Sequence, residues 1–115
     1  MTPEQLFNLL SDTTRVRALL LILDQGEVCV CELTHALQES QPKISRHLAL
    51  MRDAGLVSPR REGTWMHYSL APNLPGWASA LLETTVTHLR GRKPFVDDRS
   101  RLQSMAGRPG GKACA

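Results

Sequence analysis

Residues 40–57 read SQPKISRHLALMRDAGLV, and the folding of this stretch decides the architecture of the chain. Ser40 is a good N-cap, Pro42 falls in the first turn where its missing N–H costs little, and Gly55 closes the run, so the pattern predicts a helix. On a wheel of about 100° per residue with Ile44 at zero, Leu48 and Met51 lie within about 40° of it and form a narrow core-facing stripe. Lys43 and Arg46 fall on the opposite side, Ser45 on the other flank, and Gln41 at the N-terminal end. His47 borders the buried stripe and can serve either surface. Cations and helix N-terminal amides suit phosphate, while Gln and Arg side chains can pair bidentately with adenine and guanine edges.

Working outward, the preceding stretch GEVCVCELTHAL (26–37) places Val30, Leu33 and Leu37 on one helical face. A break at Gln38–Ser40 leaves two helices joined by a short turn. Further upstream, Thr2-Pro3-Glu4-Gln5 has the composition of a reciprocal cap opening a short helix with Leu6, Leu9 and Leu10. Ser11 or Asp12 caps a second helix bearing Val16, Leu19, Leu20 and Leu23, and Gly26 ends it. Downstream, LVSPRR and TWMHYSL read as extended stretches joined through Glu62-Gly63, with Pro59 marking an edge strand. Arg60 and Arg61 sit beside that turn, where a wing would track a neighbouring groove. A basic helix face alone would suit an ordinary solvated surface; the hairpin behind it favours nucleic acid. A last helix from roughly 76 to 90 carries two apolar lines, Ala78–Leu82–Val86–Leu89 and Trp77–Leu81. One can face the core, and the other suggests a homodimer interface. The fold expected is mainly α with a β-hairpin wing: a homodimeric winged helix-turn-helix.

The bulk properties agree. One domain fits 115 residues, and the longest apolar run, ALLLIL (18–23), is far short of a membrane span. With no signal stretch at the N-terminus, a cytoplasmic location is expected. Three cysteines, an odd number, argue for reduced thiols over a secreted disulfide scaffold. Residues 1–90 hold eight Lys/Arg against nine Asp/Glu, whereas residues 91–115 hold six against two. The expected organisation is therefore a DNA-binding and dimerisation domain over 1–90 and a flexible basic tail over 91–115. Catalysis is disfavoured: Cys31 is followed by Glu32-Leu33-Thr34-His35-Ala36, with no glycine or arginine to cradle an oxyanion, and no glycine-rich phosphate loop occurs elsewhere. Glu83 and His88 are too few on the last helix for a four-coordinate zinc site.

Taken together, GEVCVCELTHAL, SQPKISRHLALMRDAGLV and REGTWMHYSL resemble the arsenic-responsive repressors of the ArsR/SmtB family, from about Leu6 to Arg90. The resemblance implies a homodimer that occupies double-stranded operator DNA and leaves when As(III) or Sb(III) binds. It makes Gln41, Lys43, Ser45, Arg46 and His47 DNA-contact candidates, with Arg60 and Arg61 on the wing, and Cys29 and Cys31 inducer ligands. Relatives with this motif usually carry a third cysteine at the position held here by Thr34, which leaves Cys114 as a candidate third ligand.

The cysteine spacing has its own physics. Residues i and i+2 of a helix point about 200° apart, whereas one soft ion held by bonds of about 2.3 Å needs both sulfurs within roughly 4–5 Å. The pair must therefore lie in the lead-in to the third helix, or binding must unwind its first turn. A helix N-terminus should also lower the thiol pKa and favour the metal-binding thiolate. A redox-responsive repressor of the same fold is the rival, although a bridge between residues so close would be strained.

Overall fold

Caps written into the sequence set the helix starts. The computed structural model describes residues 1–108. Helix α1 (Pro3–Leu9) begins at Thr2, whose hydroxyl accepts the Gln5 amide at 3.1 Å while the Gln5 side chain accepts the Thr2 amide at 2.7 Å. Asp12 caps α2 (Thr13–Gln25) by accepting the Arg15 amide at 3.0 Å, and the helix stops at Gly26, whose φ of 87° suits glycine. Helices α3 (Val30–Leu37) and α4 (Gln41–Asp53) form the helix-turn-helix, with Ser40 accepting the Lys43 amide at 3.4 Å.

The wing is a hairpin of β2 (Val57–Glu62) and β3 (Trp65–Leu70), turning through Gly63-Thr64, with Gly63 at a φ of 62°. The turn thus sits one residue later than the sequence reading places it. A third strand, β1 (Glu27–Cys29), pairs with β3 and gives the order β1-β3-β2, so Pro59 does lie on an edge strand. That strand was not expected, and it matters because it ends on Cys29.

The core is aliphatic. Leu19 and Ile22 of α2, Leu33 and Leu37 of α3, and Ile44, Leu48 and Met51 of α4 are buried together with Leu56. Each such side chain contributes about 1.5–3 kcal/mol from burial, which fixes α3 and α4 against α2. Helix α5 (Gly76–Leu89) faces this core with Ala78 and Leu82. Trp77, on its other apolar line, stays 41% exposed, as does Phe7 of α1 at 56%.

The expectation of a flexible tail from residue 91 fails for its first part. Helix α6 (Phe95–Gln103) docks on α2 and α3 and buries Leu102 and Asp98 completely or nearly so. Composition misjudged this segment because ion pairs hold it to distant residues, above all Arg17 to Asp98 at 2.7 Å. Cys114 lies outside the described residues.

Candidate functional site

Cys29 and Cys31 straddle a change of backbone. Cys29 is both the last residue of β1 and the N-cap of α3, with extended angles of φ −80° and ψ 151°, while Cys31 is already helical. The 200° divergence of a regular helix therefore does not apply, and the two Sγ atoms lie 3.4 Å apart. Two bonds of about 2.3 Å meeting at roughly 95° span about that distance. Of the two options left by the spacing, the lead-in geometry is the one observed, and no unwinding is needed to bring the sulfurs together.

The electrostatics of the site differ from the expectation. Burial pushes the Cys29 thiol up from its ordinary pKa, and the Glu32 carboxylate adds to the rise. The amides of Cys31, Glu32 and Val30 at the start of α3 oppose it without prevailing. The helix terminus does act in the expected direction, but Cys29 is only 1% exposed and desolvation outweighs it. Glu32 completes the cap from below: its Oε1 accepts the Cys29 amide at 2.8 Å. Thr34 donates its hydroxyl to the Val30 carbonyl at 2.9 Å, so it is committed to its own helix.

A cleft of about 260 Å³ opens beside the two cysteines. Gln41 and Ser45 of α4 line it, as do Thr64 and Trp65 at the tip of the wing. One concavity thus touches the two cysteine sulfurs, the start of α4 and the hairpin. Among the described residues no group of three or more His, Cys, Asp or Glu gathers elsewhere to hold a metal. Two sulfurs at chelating distance suit a thiophilic ion and leave its remaining coordination to groups outside this pair.

The candidate DNA contacts divide into three sets. Arg46 is exposed on α4 and makes no ion pair among the described residues. Gln41 donates to Ser45 Oγ at 3.0 Å, and Lys43 pairs with Glu39 at 3.1 Å, both on the surface. His47, by contrast, turns inward: its Nε2 lies 3.8 Å from Asp12 and its Nδ1 3.3 Å from an Arg15 nitrogen. On the wing, Arg61 is exposed, but Arg60 is held by Glu27 and Glu62, each at 2.7 Å. Leu50, 53% exposed, adds an apolar member to the outward face of α4 that the sequence reading passed over. Its place on the wheel, between Arg46 and Lys43, was the available signal.

His47 carries a pH prediction. Burial lowers its pKa, and although Asp12 works against this, Arg15, Lys43 and Arg46 add to the lowering. A base whose folded-state pKa is depressed takes up its proton more readily when unfolded. Stability is then full above the unfolded value of about 6.5 and falls as pH drops below it. Urea midpoints taken between pH 7.5 and pH 5 should decline in the wild type and decline less in His47→Asn; parallel curves would contradict this assignment.

With this geometry in place, sequence comparison settles the family. The profile of bacterial regulatory proteins of the arsR family matches residues 12–58. Over 109 residues the chain is 49% identical to the arsenic resistance transcriptional regulator ArsR2 of Pseudomonas putida, covering 95% of this chain and 93% of that one. The chain belongs to the ArsR family. The arsenical resistance operon repressor of Escherichia coli K12 is 51% identical over 83 residues, covering 72% of this chain and 71% of that protein. Among solved structures, HlyU from Vibrio cholerae superposes with a TM-score of 0.66 at 30% identity, covering 74% of this chain and 88% of HlyU. ArsR-family membership makes the protein a transcriptional regulator of winged-helix fold and not an enzyme.

Proposed function

We propose that this ArsR-family protein is a homodimeric repressor that holds operator DNA with α4 and the wing and lets go when As(III) or Sb(III) is captured by the sulfurs of Cys29 and Cys31. The observation that carries the reading is the sulfur pair, 3.4 Å apart beside a cleft that Gln41 and Ser45 also line. Arsenous acid meeting two thiols forms two As–S bonds and releases two waters, and one hydroxyl stays on arsenic. The arsenic and that hydroxyl need space, and the adjoining space is the cleft against the start of α4 and the tip of β2–β3. A charged or polar group held there stands against the start of α4 and the tip of the wing, so its contacts differ between the DNA-bound and free states, as allostery requires. A typical coupling of about 1–3 kcal/mol weakens operator binding roughly 5- to 150-fold.

The exposed Trp77 on α5 and Phe7 on α1 support self-association, which would set two α4 helices on one face of a palindromic operator roughly 34 Å apart. No helix among the described residues is long and apolar enough to cross a membrane, in keeping with a DNA-bound protein of the cytoplasm.

The deciding experiment is an operator mobility shift with reduced protein, titrated separately with arsenite, antimonite and peroxide. Release by either metalloid, in the presence of a thiol reductant, is expected. Release by peroxide alone would replace this reading with a redox switch. Sedimentation at micromolar concentration should show a dimer.

A further inference from the structure

The turn that joins α3 to α4 is strained. Gln38, which caps α3, has a φ of 55° and a ψ of 45°, the left-handed region that glycine enters freely and other residues enter at a cost. Its amide donates to the His35 carbonyl at 3.3 Å, beyond the usual range for such a bond. The two carbonyls just before it lack intrahelical partners, as at any helix end, and are met from outside the helix-turn-helix. Arg101 Nε of α6 donates to the Ala36 carbonyl at 2.7 Å, and Arg17 Nη2 of α2 donates to the Leu37 carbonyl at 3.3 Å. Asp98, 1% exposed, gathers both guanidinium groups: it accepts Arg17 Nε and Nη2 at 2.8 and 2.7 Å and Arg101 Nη2 at 2.7 Å. Through these two arginines the turn is tied to a buried carboxylate of α6.

We infer that Asp98 and Arg101 of α6, together with Arg17, are positioning residues for DNA recognition: they hold the turn at Gln38 in the shape that aims the leading end of α4 at the operator. The inference rests on the reading of α4 as the DNA-contacting helix. Core packing leaves that leading end underdetermined. Gln41 and Pro42 are exposed and Ile44 is the first buried residue of α4. The stripe of Ile44, Leu48 and Met51 therefore fixes which face turns outward, while the place of the first turn depends on the chain that enters it. In a helix-turn-helix the N-terminal residues of the second helix reach the base edges. Here those are Gln41 and Lys43, a few positions beyond the carbonyls that the arginines hold. With the ties cut, the turn samples shapes in which Gln38 leaves the left-handed region. Only the fraction still correctly aimed binds DNA well, and apparent affinity falls with that fraction. The family profile ends at residue 58, so α6 acts on DNA recognition from outside the matched segment.

The test measures operator affinity, without inducer, for full-length wild type, Arg101→Ala, Arg101→Lys, Asp98→Asn, Gln38→Gly and Gln38→Gly combined with Arg101→Ala, each checked for folding by circular dichroism. Arg46→Ala serves as the reference for a direct contact. Losing the bonds of one charged donor should raise the operator Kd about 5- to 30-fold in Arg101→Ala. Arg101→Lys can still donate to the Ala36 carbonyl and should recover part of that loss. Asp98→Asn should weaken binding in the same direction; if it does not fold, Arg101→Ala, a side chain 32% exposed, decides alone. The readout that a general loss of stability would not give is rescue at the turn. Gln38→Gly accepts the left-handed shape without steric cost. It should change wild-type affinity by less than about threefold, yet recover most of the loss in the Arg101→Ala background, a coupling that only a shared local role produces. A folded Arg101→Ala protein with wild-type affinity, beside a weakened Arg46→Ala, overturns the positioning role while leaving α4 as the reading helix. A loss that Gln38→Gly does not relieve overturns it as well, because the ties would then act somewhere other than the turn. Wild-type affinity in Arg46→Ala removes the reading of α4 itself.

Discussion

Cys29→Ser is expected to abolish arsenite-driven release while leaving operator binding within about threefold of wild type, so that the entire coupling of roughly 5- to 150-fold disappears. Two features of the site separate this outcome from simple damage. Cys29 is the N-cap of α3, and serine is among the residues preferred at that position, so the substitution supports the helix instead of fraying it. The side chain is small and buried, and exchanging sulfur for oxygen leaves no cavity of consequence. What changes is the donor: a hydroxyl is a hard, weakly acidic ligand, and the remaining sulfur of Cys31 can offer one bond where two are required. Cys31→Ser should do the same for the same reason, and the double variant should be no worse than either single one, because chelation is already lost. Fluorescence-anisotropy titrations of labelled operator across an arsenite series would read this directly. Release of the Cys29→Ser protein at wild-type arsenite concentrations would mean that the dithiol is not the inducer site.

Much of this was legible from the residues. Helix caps and breaks are local chemistry: Thr2 with Gln5, Asp12, Gly26 and Ser40 announce themselves within a few positions, and each stands at the boundary its side chain implies. The periodicity of Leu48 and Met51 about Ile44 likewise identified the buried face of α4. What was hidden depends on partners far along the chain. Strand β1 is three residues long, too short for alternation to show, and exists because Val28 and Cys29 pair with Tyr68 and His67 of β3. Helix α6 is a polar sequence whose hold on the fold comes from Asp98 meeting Arg17, 81 positions away. The pairing of Arg60 with Glu27, two strands across, likewise could not be read from the hairpin's own sequence. The Cys29 thiol shows the same limit: its place at a helix start is visible in the sequence, but the burial that reverses the pKa shift is a property of the assembled core.

That difference between engaged and unengaged arginines sets the second large effect. Arg46→Ala should weaken operator binding by about 1–3 kcal/mol, roughly 5- to 150-fold, whereas Arg60→Ala should cost much less. Arg46 stands exposed on α4 with no ion pair among the described residues, so its whole bonding capacity is available to a base edge or phosphate and nothing in the fold depends on it. Arg60 is already shared between Glu27 and Glu62; it meets DNA only by giving up those partners, and removing it mainly leaves two surface carboxylates without a counter-charge. Affinities should be taken across about 50–200 mM salt. The wild-type complex should weaken steeply, since each neutralised phosphate releases counterions. If Arg46 contacts a phosphate, the slope should flatten by about one in Arg46→Ala; if it reads a base, the slope should hold and discrimination between operator variants should fall. Arsenite should still titrate the dithiol normally in this variant, because the cleft beside Cys29 and Cys31 is lined by Gln41 and Ser45 and not by Arg46. An Arg46→Ala protein that binds operator as tightly as wild type, with the same salt slope, would show that α4 does not read DNA through this face.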